Sequence, residues 1–154
     1  MSENTDARPI IVGVDGSPPS IDALRKAAQL ADALDAPIEA ITAWQFPMMY
    51  NASFALESWS PEEDATATLA DAIDAAFPSG PPERLTRSIA AGPAAGALVA
   101  RSDGAEMLVL GSRGRGGFAG MLLGSVSAAC AQHARCPVLI MHGPGQRTSS
   151  TVTG

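Results

Sequence analysis

Short apolar runs alternate with stretches of helical period along most of this chain, and that alternation constrains the fold more than any other feature. Ile10-Ile11-Val12-Gly13-Val14, Ile38 to Ala43, Met107 to Leu110 and Pro137 to Met141 are four such runs. Leu85 to Ala91, with a looser alternation, is a further strand. The first of the four runs is continuously apolar and β-branched, which at this length suits a central strand covered on both faces, as in a parallel sheet. Between the runs lie helical signals. Ser17 caps and Pro18 opens a first helix, with Ile21, Leu24, Ala28, Ala31 and Leu34 on one stripe, ending near Asp35 before Pro37. Ser60-Pro61-Glu62-Glu63 has capping-box spacing and starts a helix through Leu69, Ile73 and Phe77. Gly92-Pro93 opens a third helix to about Ser102, and Ser125 to Ala134 is a fourth. Strand-helix alternation predicts an α/β fold: an open five-stranded parallel sheet, doubly wound, with right-handed crossovers and helices on both faces.

The 154 residues suit one domain with its own core. We place that domain at 10–142, after a polar, flexible lead-in over 1–9 and before a Gly/Ser/Thr-rich flexible tail over 143–154. Trp44 to Trp59 reads as a long loop rich in Met and aromatic residues, either a lid packed on the sheet edge or a ligand gate. The net charge of −6 argues against a nucleic-acid surface. Cys130 and Cys136 have no metal-ligand spacing and read as buried thiols in a reducing compartment. The first residues carry no apolar signal segment, and no apolar run is long enough to span a membrane. The expected location is cytoplasmic.

The stretch from Val109 to Ser127 carries the chemistry. An apolar strand runs into a glycine-rich loop and closes on Gly124-Ser125 at the head of an alanine-rich helix. Glycines let peptide N–H groups approach phosphate oxygens, and a helix start attracts negative charge. Gly111 to Gly116 has the outer glycines of a Walker A loop, but Gly117-Phe118 stand where Lys-Ser/Thr is required, and the single lysine, Lys26, lies on the first helix. Gly114-Arg115-Gly116-Gly117-Phe118-Ala119 spells a dinucleotide fingerprint, yet it follows the fourth strand, and no Asp or Glu follows Glu106. His133 and His142 read as structural or surface residues.

What remains is Gly111-x2-Gly114-x9-Gly124-Ser125, with Asp15 closing the first strand. This spacing resembles the universal stress protein family, as do Leu-Gly-Ser-Val-Ser at 123–127 and the Cys-Pro-Val that leads into the last strand. The likeness covers roughly Ile10 to Met141. It implies strand order 3-2-1-4-5, a homodimer, ATP binding in members that carry the glycine pattern, and backbone at Ala43 offered to adenine. In that order strands 1 and 4 are neighbours at the topological switch point, where open α/β sheets bind ligands. Asp15, with the Gly16-Ser17 turn, would accept from ribose or position a metal such as Mg²⁺. Gly111 and Gly114 would let backbone fold over the ribose and phosphates, with Arg113 in contact. Gly124 and the N–H groups of Ser125, Val126 and Ser127 would meet phosphate oxygens, and the two serine hydroxyls are further donors. Each residue has a plainer alternative: a turn with an N-cap at 15–17, a cap at Ser125, a solvated Arg113.

Three functions are open to such a chain: an ATP-binding regulator in a stress response with an unidentified protein partner, a slow Mg-dependent ATPase or phosphoryl-transfer enzyme, or a nucleotide-free interaction module. Phosphoryl transfer needs an oriented base and a charge clamp. No base and no lysine stand near the loop, so binding is the preferred reading and no residue is assigned a catalytic role. The apolar run Val138 to Met141 would sit at a sheet edge, where pairing across a two-fold axis would cover it.

Overall fold

The structure is a computed structural model, and it describes residues 7–45, 60–113 and 124–142. Among the described residues nine elements follow one another: β1 (Ile10–Gly13), α1 (Pro18–Leu34), β2 (Ile38–Trp44), α2 (Pro61–Ala76), β3 (Leu85–Ala91), α3 (Ala94–Ser102), β4 (Met107–Gly111), α4 (Ser125–His133) and β5 (Val138–Met141). The strands form one parallel sheet in the order β3-β2-β1-β4-β5. This is the order that the family resemblance implied. Of the long loop expected over 44–59, Trp44 belongs to β2, and residues 46–59 lie outside the described part of the chain.

β1 sits at the centre because its side chains suit both faces. Ile10 and Val12 pack into a cluster with Ala23, Leu24 and Ala27 of α1 and Leu69 and Ile73 of α2. Ile11, one residue out of phase, packs into a second cluster with Leu98 of α3 and Cys130 of α4. A strand sends alternate side chains to opposite faces, so one β-branched run anchors both layers. α1 and α2 therefore cover one face, and α3 and α4 the other. The buried side of α1 is Ser20, Ala23, Leu24, Ala27 and Ala31, small residues apart from Leu24, which lets the helix lie close to the sheet.

The helix ends follow local chemistry. Ser17 accepts from the Ser20 N–H at the head of α1, with Pro18 and Pro19 in the first positions. α1 ends at Asp35 in the left-handed region (φ 52°), a conformation Asp tolerates better than most residues. The Arg84 guanidinium then donates to the carbonyls of Ala31 and Ala36. At the head of α2, Ser60 Oγ accepts from the Glu63 N–H at 3.2 Å. On the second face, Glu39 of β2 accepts from Ser88 of β3 and pairs with Arg101 of α3. Among the described residues, no helix is long and apolar enough to cross a membrane.

Candidate functional site

The carboxyl ends of β1 and β2 form the floor of a cleft. Val14 continues β1 by donating its N–H to the Ile41 carbonyl, and the buried Thr42 hydroxyl donates to the Val14 carbonyl at 2.9 Å. These two bonds hold the strand ends together just where the chain turns toward α1. There Asp15 Oδ1 accepts from the N–H and the hydroxyl of Ser17, and Gly16 takes φ 83°. Asp15-Gly16-Ser17 is thus an Asx turn as well as a helix entry, with the carboxylate held in a defined position. Ser20 Oγ donates to the Ser17 carbonyl and locks the turn to the first helical residues.

The cleft holds about 310 Å³ and is lined by Val14, Asp15, Thr42, Ala43, Trp44 and Gln45 from the strand ends. Its far wall is Pro61, Asp64, Ala65 and Thr68 of α2, with Ala94 of α3 at the rim. The volume is at the lower end of the range for small-molecule sites. It is enough for a nucleoside, while a triphosphate would have to continue beyond it. Asp15 and Ala43, both named from the sequence, line this cleft. Thr42, Asp64 and Thr68 line it too and were not anticipated, while Trp44 and Gln45 come from the start of the stretch read as a lid or a ligand gate. The only sequence signal for the first three was position. Thr42 adjoins Ala43, and Asp64 and Thr68 are one turn apart on a capped helix.

The other expected residues gather at the end of β4, on the far side of β1 from the cleft's α2 wall. The Ser112 carbonyl accepts from the Gly124 N–H at 2.6 Å and from the buried Ser127 hydroxyl at 2.8 Å. The Ser112 N–H donates to the Met141 carbonyl of β5. The backbone of one residue, Ser112, therefore joins the end of β4, the head of α4 and the end of β5. Since β1 and β4 are adjacent, Asp15 and Ser125 stand at the same edge of the sheet. Gly124 is the N-cap of α4; Ser125 is exposed and Val126 partly so. The Ser127 hydroxyl spends its single proton on backbone carbonyls at this joint, so the head of α4 meets any ligand through peptide N–H groups and Ser125. Arg113 is partly buried beyond Ser112. Gly114, the second glycine of the expected pattern, lies outside the described residues.

Gly111 has a role that the sequence reading did not assign to it. A Cβ there would come within 2.7 Å of the Pro19 Cβ and 3.1 Å of the Pro19 carbonyl carbon. Its missing side chain thus admits the first turn of α1 over the end of β4, closing the switch point from one side.

Among the described residues, no three His, Cys, Asp or Glu side chains cluster as a metal site would require. Cys130 is fully buried, and burial, with the neighbouring Cys136, pushes its thiol up to about 11. Burial raises the Cys136 thiol as well. Both are free thiols, and neither is activated as a nucleophile.

The universal stress protein family model matches residues 7–142, which takes in all nine elements. The chain belongs to the universal stress protein family. A universal stress protein of Mycobacterium tuberculosis is 38% identical over 139 residues, covering 86% of this chain and 44% of the relative. Another from Mycolicibacterium smegmatis is 32% identical over 138 residues, with 86% and 45% covered. This chain therefore spans less than half the length of these curated relatives. Among solved structures, a universal stress protein in complex with cAMP is 33% identical, with a TM-score of 0.64 over 88% of this chain and 96% of that one. A universal stress protein from Lactobacillus plantarum, 21% identical with a TM-score of 0.70 over 90% and 99% of the two chains, shares the fold.

Proposed function

We propose that this family member binds ATP and acts as a nucleotide-dependent regulator in a stress response, its bound state selecting an as yet unidentified protein partner. The observation that carries this reading is the cleft at the carboxyl ends of β1 and β2, with the fixed Asp15 carboxylate on its wall and the head of α4 at the same edge. The relative solved with cAMP supports a nucleotide as the ligand class. In this reading Ala43 offers backbone to the base, and Asp15 with Gly16 and Ser17 holds the ribose. The phosphates then run past Gly111 toward Arg113 and Gly114. They pass close to Gly124 and end at the N–H groups of Ser125, Val126 and Ser127, where the helix dipole favours negative charge. A Mg²⁺ would arrive with the phosphates, since Mg²⁺ keeps most of its coordination from phosphate and water; an Asp15 that positioned it would do so in place of holding the ribose.

The role is binding rather than turnover. The lone lysine is Lys26 on α1, and phosphoryl transfer would need a base and a charge clamp at the γ-phosphate. We further propose a cytoplasmic homodimer formed through β5, which ends the strand order and carries four half-buried aliphatic residues.

The test is mass spectrometry of nucleotide released from the purified protein, with an ATP titration of stripped protein. Wild type is expected to release and rebind ATP, and Asp15→Ala and Gly114→Ala to lose most of it. Asp15→Asn keeps an acceptor for the Ser17 bonds and separates loss of charge from loss of the turn. Full occupancy in both alanine variants, or no nucleotide binding by the wild type, would overturn the assignment.

A further inference from the structure

The floor of the cleft carries a hydroxyl whose proton is already committed. Ile38 and Ala40 of β2 pack with α1 and α2. Thr42, two residues further on, stands on the same face of the sheet, toward the α2 wall. It is 5% exposed and lines the cleft together with Val14. Thr42 Oγ1 lies 2.9 Å from the Val14 carbonyl oxygen. A carbonyl has no proton to give, so the hydroxyl is the donor and its single proton is fixed in this bond. Turning that proton toward a ligand would strip a buried carbonyl of its donor, which is costly. What Thr42 has left for a ligand is lone pairs. Thr68 and Gln45 line the cleft too, and each can give or accept a hydrogen bond. They suit either kind of group, whereas Thr42 suits only a donor.

We infer that Thr42 is a specificity-determining residue for the base: it selects a purine with an amino group at the 6 position over one with a carbonyl there. The inference rests on the nucleotide reading above and deepens it. Thr42 precedes Ala43, whose backbone that reading gives to the base. An amino group donates to the Thr42 lone pairs. A carbonyl in the same place sets acceptor against acceptor, and both lose the hydrogen bonds they had in water. Discrimination of this kind comes from the unpaired polar groups that the wrong ligand leaves behind, more than from added attraction to the right one.

ATP and inosine triphosphate test this. They share sugar, phosphates and charge, and differ at the 6 position and the ring nitrogen beside it. Their affinities for stripped protein are measured by calorimetric titration for wild type, Thr42→Val and Thr42→Ser. Wild type is expected to prefer ATP. Thr42→Val keeps the branched shape but removes the lone pairs, and should narrow the preference about two- to tenfold, the range of one neutral hydrogen bond. Thr42→Ser keeps the hydroxyl and should hold the preference. Circular dichroism checks folding; if Thr42→Val does not fold, Thr42→Cys, whose thiol accepts poorly, takes its place with the same expectation. Equal affinity of the wild type for the two nucleotides would overturn the role of Thr42 while leaving nucleotide binding intact. So would a preference that Thr42→Val leaves unchanged, both affinities falling together included, or one that Thr42→Ser loses as fully. Binding of neither nucleotide by the wild type would overturn the nucleotide reading and this inference together.

Discussion

Gly111 and Gly13 both lack a side chain for packing reasons, yet the neighbours that forbid one differ. At Gly13 a Cβ would meet the tips of Leu110 and Leu98, at 2.6 and 2.9 Å, and leucine methyls can turn away. At Gly111 it would meet the ring and backbone of Pro19, which cannot. Gly111→Ala should therefore destabilise the nucleotide-free protein by about 1–3 kcal/mol, the usual cost of overpacking, and Gly13→Ala by less. Urea denaturation of stripped protein measures both. A Gly111→Ala protein as stable as wild type would mean that this glycine serves only the ligand. The sequence marks Gly111 as a place where backbone comes close to something. That the something is α1 follows from the fold, because Pro19 is 92 residues away in the chain. Ser127 teaches the same lesson. A serine two residues into a helix reads as a donor for phosphate, but its hydroxyl is used by the Ser112 carbonyl.

At the scale of elements, α2 is the wall on which the cleft depends. Its start was legible, since Ser60 stands three residues before Glu63 and the Ser60 side chain does accept from the Glu63 N–H. Its role in the cleft was not, because helical period fixes which residues share a face but not what that face looks upon. Ser60→Ala should lower stability by about 1 kcal/mol, as loss of an N-cap does. Fraying would also move Pro61, Asp64 and Ala65, so ATP affinity should fall with it. Thermal denaturation and an ATP titration of the same variant check the pair. Lost stability with unchanged affinity would show that the first turn of α2 does not shape the site.

For the whole molecule, the strand order places the most and least covered strands. β1, between β2 and β4, has Ile10, Ile11 and Val12 buried to within 1%, whereas β5 at the margin is only half-buried throughout. Leu139 and Met141 pack on the α1 face and Val138 on the other, while Ile140 belongs to neither core cluster. Ile140→Glu should thus leave the fold intact and convert the proposed dimer to a monomer. Sedimentation equilibrium of wild type and variant decides it. A wild type that sediments as a monomer at all concentrations would remove β5 as the interface, and an associated variant would move the interface elsewhere. Covering an apolar margin strand by a second copy is the usual remedy for an open sheet edge.

The sequence by itself determined the class of fold and the place of nearly every element. Those follow from local physics: side-chain period, cap chemistry, and glycine where a strand gives way to a helix. Tertiary structure alone decided which surfaces face one another. It set Asp64 and Thr68 opposite Asp15 across the cleft, brought α1 down onto Gly111, and joined β4, α4 and β5 at Ser112. These are contacts between residues far apart in the chain, and their geometry is set by how helices of given length and side-chain size pack on a twisted sheet, which no local window of sequence contains.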